Sequence, residues 1–471
     1  MSFCSTQPTS KSFCDRRYVM RDDLRKRLRE LGVVRGVAQL SAPAGVSKSA
    51  IEKLVPGHFH TTTNGQCFVA EEKHPLEHLH GDLPLLSFLS LTTEEIVSAG
   101  QDPALADIDR ERYCFLDTET TGLSGGTGTM AFVVGIGFFR RESFVLHQYF
   151  LRDPGDEPAM IEALAEELAE FEVIVSFNGR AFDVPILETR FILARRPPAT
   201  SNALHLDLLH PARRLWRYRL HSCALGVLEQ EVLGVEREQA DVPGGLIPWL
   251  YRDYLRTGDA REMKRVIYHN AIDILSLVTL TARLGRVLTD PWAEPSLSAG
   301  EYYALARWYD RVGRTEETER AYRSALLAAA SADPGEDGPE RTGAGATGLD
   351  VRAAALRGLA YHLKRSGRRD EAYIYWQQLA ADSTSDVDHR QLARVEVAKY
   401  LEWHVTDYAL AAEWTQAAIA SLEQLGAGPR QEAALGELRH RLARLQRKAE
   451  AACSGEDASG AATDQDGECD A

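Results

Sequence analysis

Phe115-Leu116-Asp117-Thr118-Glu119-Thr120-Thr121-Gly122-Leu123 is the stretch on which the fold of this chain turns. Tyr113, Cys114, Phe115 and Leu116 form an apolar run of the kind that ends a buried strand. Extended chain alternates its side chains, so Asp117 and Glu119 point to one side of that strand's end. Two neighbouring acids repel each other there unless a cation lies between them. Hard divalent ions such as Mg²⁺ favour carboxylate oxygens. A solvated strand end is the plainer account of the same pair, so partner carboxylates downstream decide between the two.

The first partner is Asp183, in Val173-Ile174-Val175-Ser176-Phe177-Asn178-Gly179-Arg180-Ala181-Phe182-Asp183. A short β-branched run breaks at Asn178-Gly179, a turn signal. Ile186, Leu187, Phe191 and Ile192 then follow at helical spacing. Asp183 stands at the junction, where capping the helix is its alternative role. The second partner is Asp273, set among Ile272, Ile274, Leu275 and Leu277. An acid at the edge of a core needs a partner, and a metal ion would serve.

Asp117 and Glu119, then Asp183, then Asp273 resemble the three motifs of the DEDD 3′–5′ exonucleases, which have the ribonuclease H-like fold. More closely, the chain resembles bacterial ribonuclease H-like proteins in which this domain precedes tetratricopeptide-like repeats. Gly125-Gly126-Thr127-Gly128-Thr129 and Asp241-Val242-Pro243-Gly244-Gly245-Leu246-Ile247-Pro248 carry the likeness further, over about residues 109 to 290. The resemblance implies two divalent ions, Mg²⁺ or Mn²⁺, clamping an in-line phosphoryl transfer at a separation of about 3.5–4 Å. One ion would be held by Asp117, Glu119 and Asp273, the other by Asp117 and Asp183. Thr118, Thr120, Leu123, Asn178 and Phe182, which flank the motifs, are candidate substrate contacts.

The expected general base departs from the family patterns. The histidine subtype places His five residues before the last Asp, and the tyrosine subtype places Tyr four before it. Here Tyr268 is five before Asp273 and His269 four before. Residues four apart are neighbours on a helix face, whereas five apart diverge by about 140°. His269 is therefore the expected base if the helix already includes residue 268, and its ordinary pKa of about 6.5 suits the task. Asn270 is a plausible N-cap that would instead leave both residues in a loop.

Of 471 residues, 44% are hydrophobic and 26% charged, as in globular chains of two to four domains. No run of eighteen apolar residues suggests a membrane span. The first ten residues lack the apolar core of a signal peptide. Seven scattered cysteines show neither a disulfide framework nor CxxC spacing, which points to a reducing cytoplasm. The net charge of −15 is concentrated: Cys453 to Ala471 has six acids and no base, and Ser331 to Asp350 has five acids and one Arg. Those stretches supply −6 and −4 and are expected to be disordered, leaving −5 for the rest, so nucleic acid is not excluded as a partner. Arg213, Arg214, Arg217 and Arg219, interleaved with Trp216 and Tyr218, suit a single strand, whose phosphates need cations and whose bases stack. The alternative is a helix that buries Leu208, Leu209, Leu215 and Trp216.

The expected organisation is an N-terminal region (1–108), an α/β ribonuclease H-like domain of mixed sheet and flanking helices (109–290), an all-α repeat domain (291–452) with its insert (331–350), and an acidic tail (453–471). The first region holds a basic amphipathic helix over Arg21 to Arg35 and a hairpin over Gly57 to Glu71 turning at Asn64-Gly65. It also has His58, His60, His74, His78 and His80, without a recognisable metal-ligand spacing. Expected core strands are Tyr113–Leu116, Ala131–Phe139, Ser143–Leu151, Val173–Phe177 and Leu204–Leu208. Small–aromatic patterns around Tyr303–Tyr309, Leu356–Tyr361 and Val397–Leu401 resemble tetratricopeptide repeats, which commonly bind protein. Two function classes follow: a metal-dependent 3′–5′ exonuclease on DNA or RNA, or a non-catalytic nucleic-acid-binding scaffold on the same fold.

Overall fold

The computed structural model describes residues 49–122, 128–237, 241–293, 297–331, 350–423 and 429–460. The elements below belong to one compact unit that begins at Ala50. Strands β1 (Gly57–Thr62) and β2 (Gly65–Pro75) form a hairpin, followed by the short ribbon β3 (Leu79–His80) and β4 (Leu83–Pro84). Helix α1 (Thr93–Gly100) opens on a capping box between Thr92 and Glu95, which satisfies two backbone N–H groups reciprocally. Then come β5 (Tyr113–Thr120), β6 (Ala131–Arg140) and β7 (Ser143–Phe150). Helix α2 (Glu157–Leu168), β8 (Val173–Ser176), α3 (Asp183–Leu193), β9 (Leu204–Asp207) and α4 (Leu209–Trp216) continue the chain. A helical turn, Leu225–Leu228, runs into a π turn, Glu229–Leu233, before α5 (Ile247–Thr257) and the 29-residue α6 (Arg261–Thr289).

Among the described residues, seven strands make one sheet in the order β1-β2-β7-β6-β5-β8-β9. The β5–β8 and β8–β9 pairs are parallel, and the others are antiparallel. This is the mixed sheet with flanking helices expected of a ribonuclease H-like domain, and the five expected strands appear within about a residue or, for β5, four residues longer. The hairpin also forms where Asn64-Gly65 placed it, but it is no separate N-terminal unit. Its second strand pairs with β7 from Phe68↔Phe150 to Pro75↔Ser143, widening the sheet by two strands.

Alternation along β5 divides the two faces. Tyr113 and Phe115 pack with α1, α4 and the C-terminal half of α6, while Cys114 and Leu116 pack with α2, α3 and α5. Gly135 of β6 sits under α6: a Cβ there would lie 2.2 Å from Asn270 Oδ1 and 2.4 Å from Ile274 Cδ1. The missing side chain is what lets the helix approach the strand.

Beyond α6 the elements among the described residues are all helical: α7 (Ala299–Val312), α8 (Thr315–Ser331), α9 (Val351–Arg365), α10 (Arg369–Ala381), α11 (Val387–Tyr400), α12 (Tyr408–Glu423) and α13 (Pro429–Gly460). Each helix packs on the next. Gly313 and Gly367, both at φ 80°, end the first helix of the first two pairs, where a left-handed residue is needed to reverse the chain. Glu301 joins this array to the α/β part. It closes a capping box with Ser298 and accepts from Trp216 Nε1 at 2.8 Å and Arg219 at 3.2 Å. The acidic tail was expected to be unstructured from Cys453, yet α13 runs on to Gly460, since an established helix propagates at little cost. Residues 461–471, the insert at 332–349 and the basic stretch at 21–35 lie outside the described residues.

Candidate active site

Pairing between β5 and β8 ends at Phe115↔Val175, so Asp117 and Glu119 extend past it with β6 on one side only. A register shift between Glu119 and Thr120 bends the strand there, a common device for re-aiming side chains. The loop after β8 fills the open side. Asn178 adopts φ 65°, its backbone N–H and that of Arg180 are held by Asp207 at 2.8 and 3.2 Å, and the chain then enters α3. Phe182, not Asp183, is the N-cap, and Asp183 is the buried first residue of the helix, so the capping role is overturned. Thr118, on the opposite face to Asp117, donates its hydroxyl to Asp183 Oδ1 at 2.5 Å. Asp117 is gripped from α6 by Asn270, whose Nδ2 donates to its Oδ2 at 2.7 Å and its carbonyl at 3.2 Å. Asn270 is fully buried, and its own Oδ1 accepts from Gln148 at 2.8 Å.

Asn270 is therefore no N-cap. The helix begins at Arg261, nine residues earlier, which puts both Tyr268 and His269 inside it. His269 lies over Asp273 as the four-residue spacing requires: its Nε2 is 3.8 Å from Asp273 Oδ2 and 3.9 Å from Glu119 Oε1. Tyr268 is turned about 140° away from Asp273 around the helix. Two residues not singled out as site residues complete the cluster. Asp241 Oδ1 lies 2.7 Å from His269 Nδ1, and Arg237 meets Asp241, Asp273 and the same Nδ1. With Nδ1 protonated, the ring donates to Asp241 and Nε2 keeps its lone pair toward the acids. Gly244 is close enough that a Cβ on it would be 3.8 Å from Nε2. The Asp241-Val242-Pro243-Gly244 stretch thus wraps the imidazole.

The electrostatics are those of buried acids, with like-charge crowding added at Asp117 and Glu119. Burial, then the charges of Asp273 and Asp183, push the Asp117 carboxyl well above its ordinary range, against the Asn270 hydrogen bond and Arg237. Glu119 is raised in the same direction by burial, then by Asp117, Asp273 and Asp183. Asp183 is pushed up to about 6, chiefly by burial, against the Thr118 hydrogen bond. Burial also raises Asp273, while His269 and Arg237 pull it back. Four acids that resist ionising together, at the carboxyl end of parallel strands, are what a bound cation would relieve.

Their chemistry fits hard divalent ions, being oxygen donors of high charge density. The side chains are nonetheless drawn toward protein partners: Asp117 to Asn270, Asp183 to Thr118, Asp273 to Arg237. Accordingly, among the described residues no group of three or more His, Cys, Asp or Glu side chains is already arranged to hold a metal ion. Asp117, Glu119, Asp183 and Asp273 are the residues whose carboxylates would hold such ions.

The expected substrate contacts divide. Thr118 is spent on Asp183, and Thr120, also buried, donates to the Gly122 carbonyl at 2.8 Å, so neither hydroxyl faces outward. Asn178 is exposed and Phe182 half-buried, whereas Leu123 lies outside the described residues. Trp216 and Tyr218 are buried at 1% and 5% exposure, which removes the expected stacking platform. Arg213 and Arg217 remain exposed beside it, Arg214 is half-buried, and Arg217 donates to the Tyr218 hydroxyl. Of the N-terminal histidines, His58, His60 and His74 pair with Glu71, Glu166 and Glu72 on the hairpin and α2, and His80 is buried against Ser276.

A sheet of this order with acids at the end of the interior strand β5 defines a ribonuclease H-like domain, and the RNase_H superfamily matches residues 114–285. The chain belongs to the family of the uncharacterized protein YprB of Bacillus subtilis (strain 168). The two are 30% identical over 390 residues, covering 81% of this chain and 86% of that protein. The likeness therefore reaches well beyond residues 114–285. Among the described residues, no helix is long and apolar enough to cross a membrane.

Proposed function

We propose that the chain is a metal-dependent nuclease of the DEDD type, a 3′–5′ exonuclease hydrolysing phosphodiester bonds of single-stranded DNA or RNA. The observation that carries this reading is the convergence of Asp117, Glu119, Asp183 and Asp273 from three separated segments: burial raises all four carboxyls, and the charges of Asp273 and Asp183 add to the rise at Asp117 and Glu119. Bound divalent ions would neutralise the phosphoryl group and lower the pKa of the attacking water. Asp117, Glu119 and Asp273 would hold one ion, and Asp117 and Asp183 the other. His269 accepts the water's proton at Nε2, and Asp241 holds the resulting imidazolium through Nδ1–H. Asn270 fixes Asp117 in aim. The paired helices α7–α12 are read as tetratricopeptide-like, with a protein partner as their ligand class.

The test is Mn²⁺- or Mg²⁺-dependent release of nucleotides from 5′-labelled single strands of each nucleic acid. Successive shortening from the 3′ end, abolished in Asp117→Ala, is expected. No cleavage by the wild type, or equal cleavage by the variant, would overturn the assignment in favour of a scaffold.

A further inference from the structure

The Asp273 side of the acid cluster is held by a cation that belongs to the protein itself. Arg237 Nε and one terminal nitrogen donate as a fork to Glu229 at 2.7 and 2.8 Å. That second nitrogen also donates to Asp273 Oδ1, and the other terminal nitrogen donates to Asp241 Oδ2 at 3.2 Å; it lies 2.9 Å from His269 Nδ1, a packing contact and no hydrogen bond while that nitrogen carries its proton. One guanidinium therefore touches a proposed metal ligand, the proposed base and the acid behind that base. A planar five-donor group is the side chain suited to such branching.

Glu229 is what holds the guanidinium still. It is 1% exposed, sits in the π turn Glu229–Leu233, and accepts a third hydrogen bond from Ser276 Oγ at 2.7 Å. Because that hydroxyl donates to Glu229, it accepts from His80 Nε2, also at 2.7 Å. The π turn is braced in its own right. The Asp82 N–H donates to the Leu233 carbonyl at 2.8 Å, and Gly81 passes so close that a Cβ would lie 1.9 Å from that oxygen. The anchor runs from the β3–β4 ribbon through Ser276 and Glu229 to the guanidinium, on the face of α6 that bears Asp273.

We propose that Arg237, clamped by Glu229, is the positioning residue of the acid cluster: it fixes Asp273 Oδ1 so that Oδ2 alone is presented to a divalent ion, and it sets the Asp241–His269 pair at the same time. This rests on the cation-binding reading of the cluster. The rival is a plug, in which the guanidinium occupies the ion's place and must leave before metal binds. The two differ in the sign of one measurement. Removing a plug, or any nearby positive charge, tightens divalent binding, whereas removing a positioning group weakens it despite the lost repulsion.

The experiment is calorimetric titration of Mn²⁺ into the full chain without nucleic acid, for the wild type, Asp273→Asn, Arg237→Gln, Arg237→Lys, Glu229→Gln and Ser276→Ala. Arg237→Gln and Arg237→Lys are expected to weaken the Asp273-dependent binding about tenfold or more. Glu229→Gln should do the same and add nothing in combination with Arg237→Gln. Ser276→Ala alters no charge and should weaken binding by a few fold, so the inference stays testable even if the charge variants misfold. Tighter or unchanged binding in Arg237→Gln, or wild-type binding in Arg237→Lys, overturns it. If the wild type shows no Asp273-dependent Mn²⁺ binding, the cation-binding reading fails and takes this inference with it.

Discussion

In the helical array Glu402 is 1% exposed and is met by Arg444, Arg441 and Lys448 at 2.8, 2.9 and 3.0 Å. Glu396, 7% exposed, lies between Lys364 and Lys399 at 2.5 and 2.7 Å. Burial works against their charge, yet those cations hold both carboxyls below the ordinary range. At the end of β5, by contrast, Asp117, Glu119, Asp183 and Asp273 converge with the Arg237 guanidinium beside Asp273, and all four are raised. Burial is common to the two regions. Charge balance separates them: one is complete as it stands, while the other holds more acids than cations, the deficit that the proposed divalent ions would fill.

Neutralising one acid in each region should therefore have opposite effects. Asp117→Asn is expected to abolish at least about 10³ of the metal-dependent activity. It should also stabilise the metal-free protein by roughly 1–2 kcal/mol, because it removes a repelled charge. Glu402→Gln should leave cleavage unchanged and cost roughly 1–3 kcal/mol, since it takes the charge partner from Arg441, the most buried of its three cations. Paired cleavage assays and denaturant unfolding check this. If Asp117→Asn destabilises as Glu402→Gln does, the distinction between the regions collapses.

The next effect in size concerns His269 and Tyr268. His269→Ala should lower turnover about 100-fold or more, with Tyr268→Phe staying within about threefold. Asp241→Asn should fall toward the His269→Ala value, because an amide in that place favours the proton on the wrong ring nitrogen. Initial rates at saturating Mn²⁺ give the ranking, and the reverse order would assign the base to Tyr268.

Why was so much of this site visible in sequence, and why not all of it? Asp117 and Glu119 announced themselves by strand alternation, and His269 by helical spacing to Asp273, both local signals. Arg237 had none: Glu236-Arg237-Glu238 reads as a solvated charge run, and its meaning depends on the fold bringing residues 229, 241 and 273 together. Asp241 stood inside a stretch already noted, but only its contact with His269 gives it a role. Asn270 misled because Asn is so good an N-cap. Its burial against Gly135, which leaves just enough room for an amide, is long-range information. The β1–β2 hairpin was legible for the same reason that its place in the sheet was not, since turn chemistry is local and edge pairing is not. Trp216 and Tyr218 were ambiguous by composition, and docking against Glu301 and Tyr303 of α7 decided it.

The smallest predicted effect tests the comparison by pH. Asp183 is raised from 3.8 to about 6 in the folded chain, so folding binds its proton more tightly than the unfolded state does. Its contribution is thus fully present below about pH 4 and is lost as pH rises through about 6, on the order of 2–3 kcal/mol in all. Asp183→Asn cannot titrate there. Metal-free wild type and Asp183→Asn should match near pH 4 and diverge by pH 7, the variant being the more stable. Saturating Mn²⁺ at pH 7 should close that gap for the wild type, as a cation supplies the missing balance. Glu402→Gln compared with wild type should run the other way, because that carboxyl is lowered and its stabilisation is lost only on acidification. Unfolding curves in urea at four or five pH values check both. Parallel pH profiles for the two variants would mean that the acids of the β5 end are balanced internally after all, by Arg237 alone.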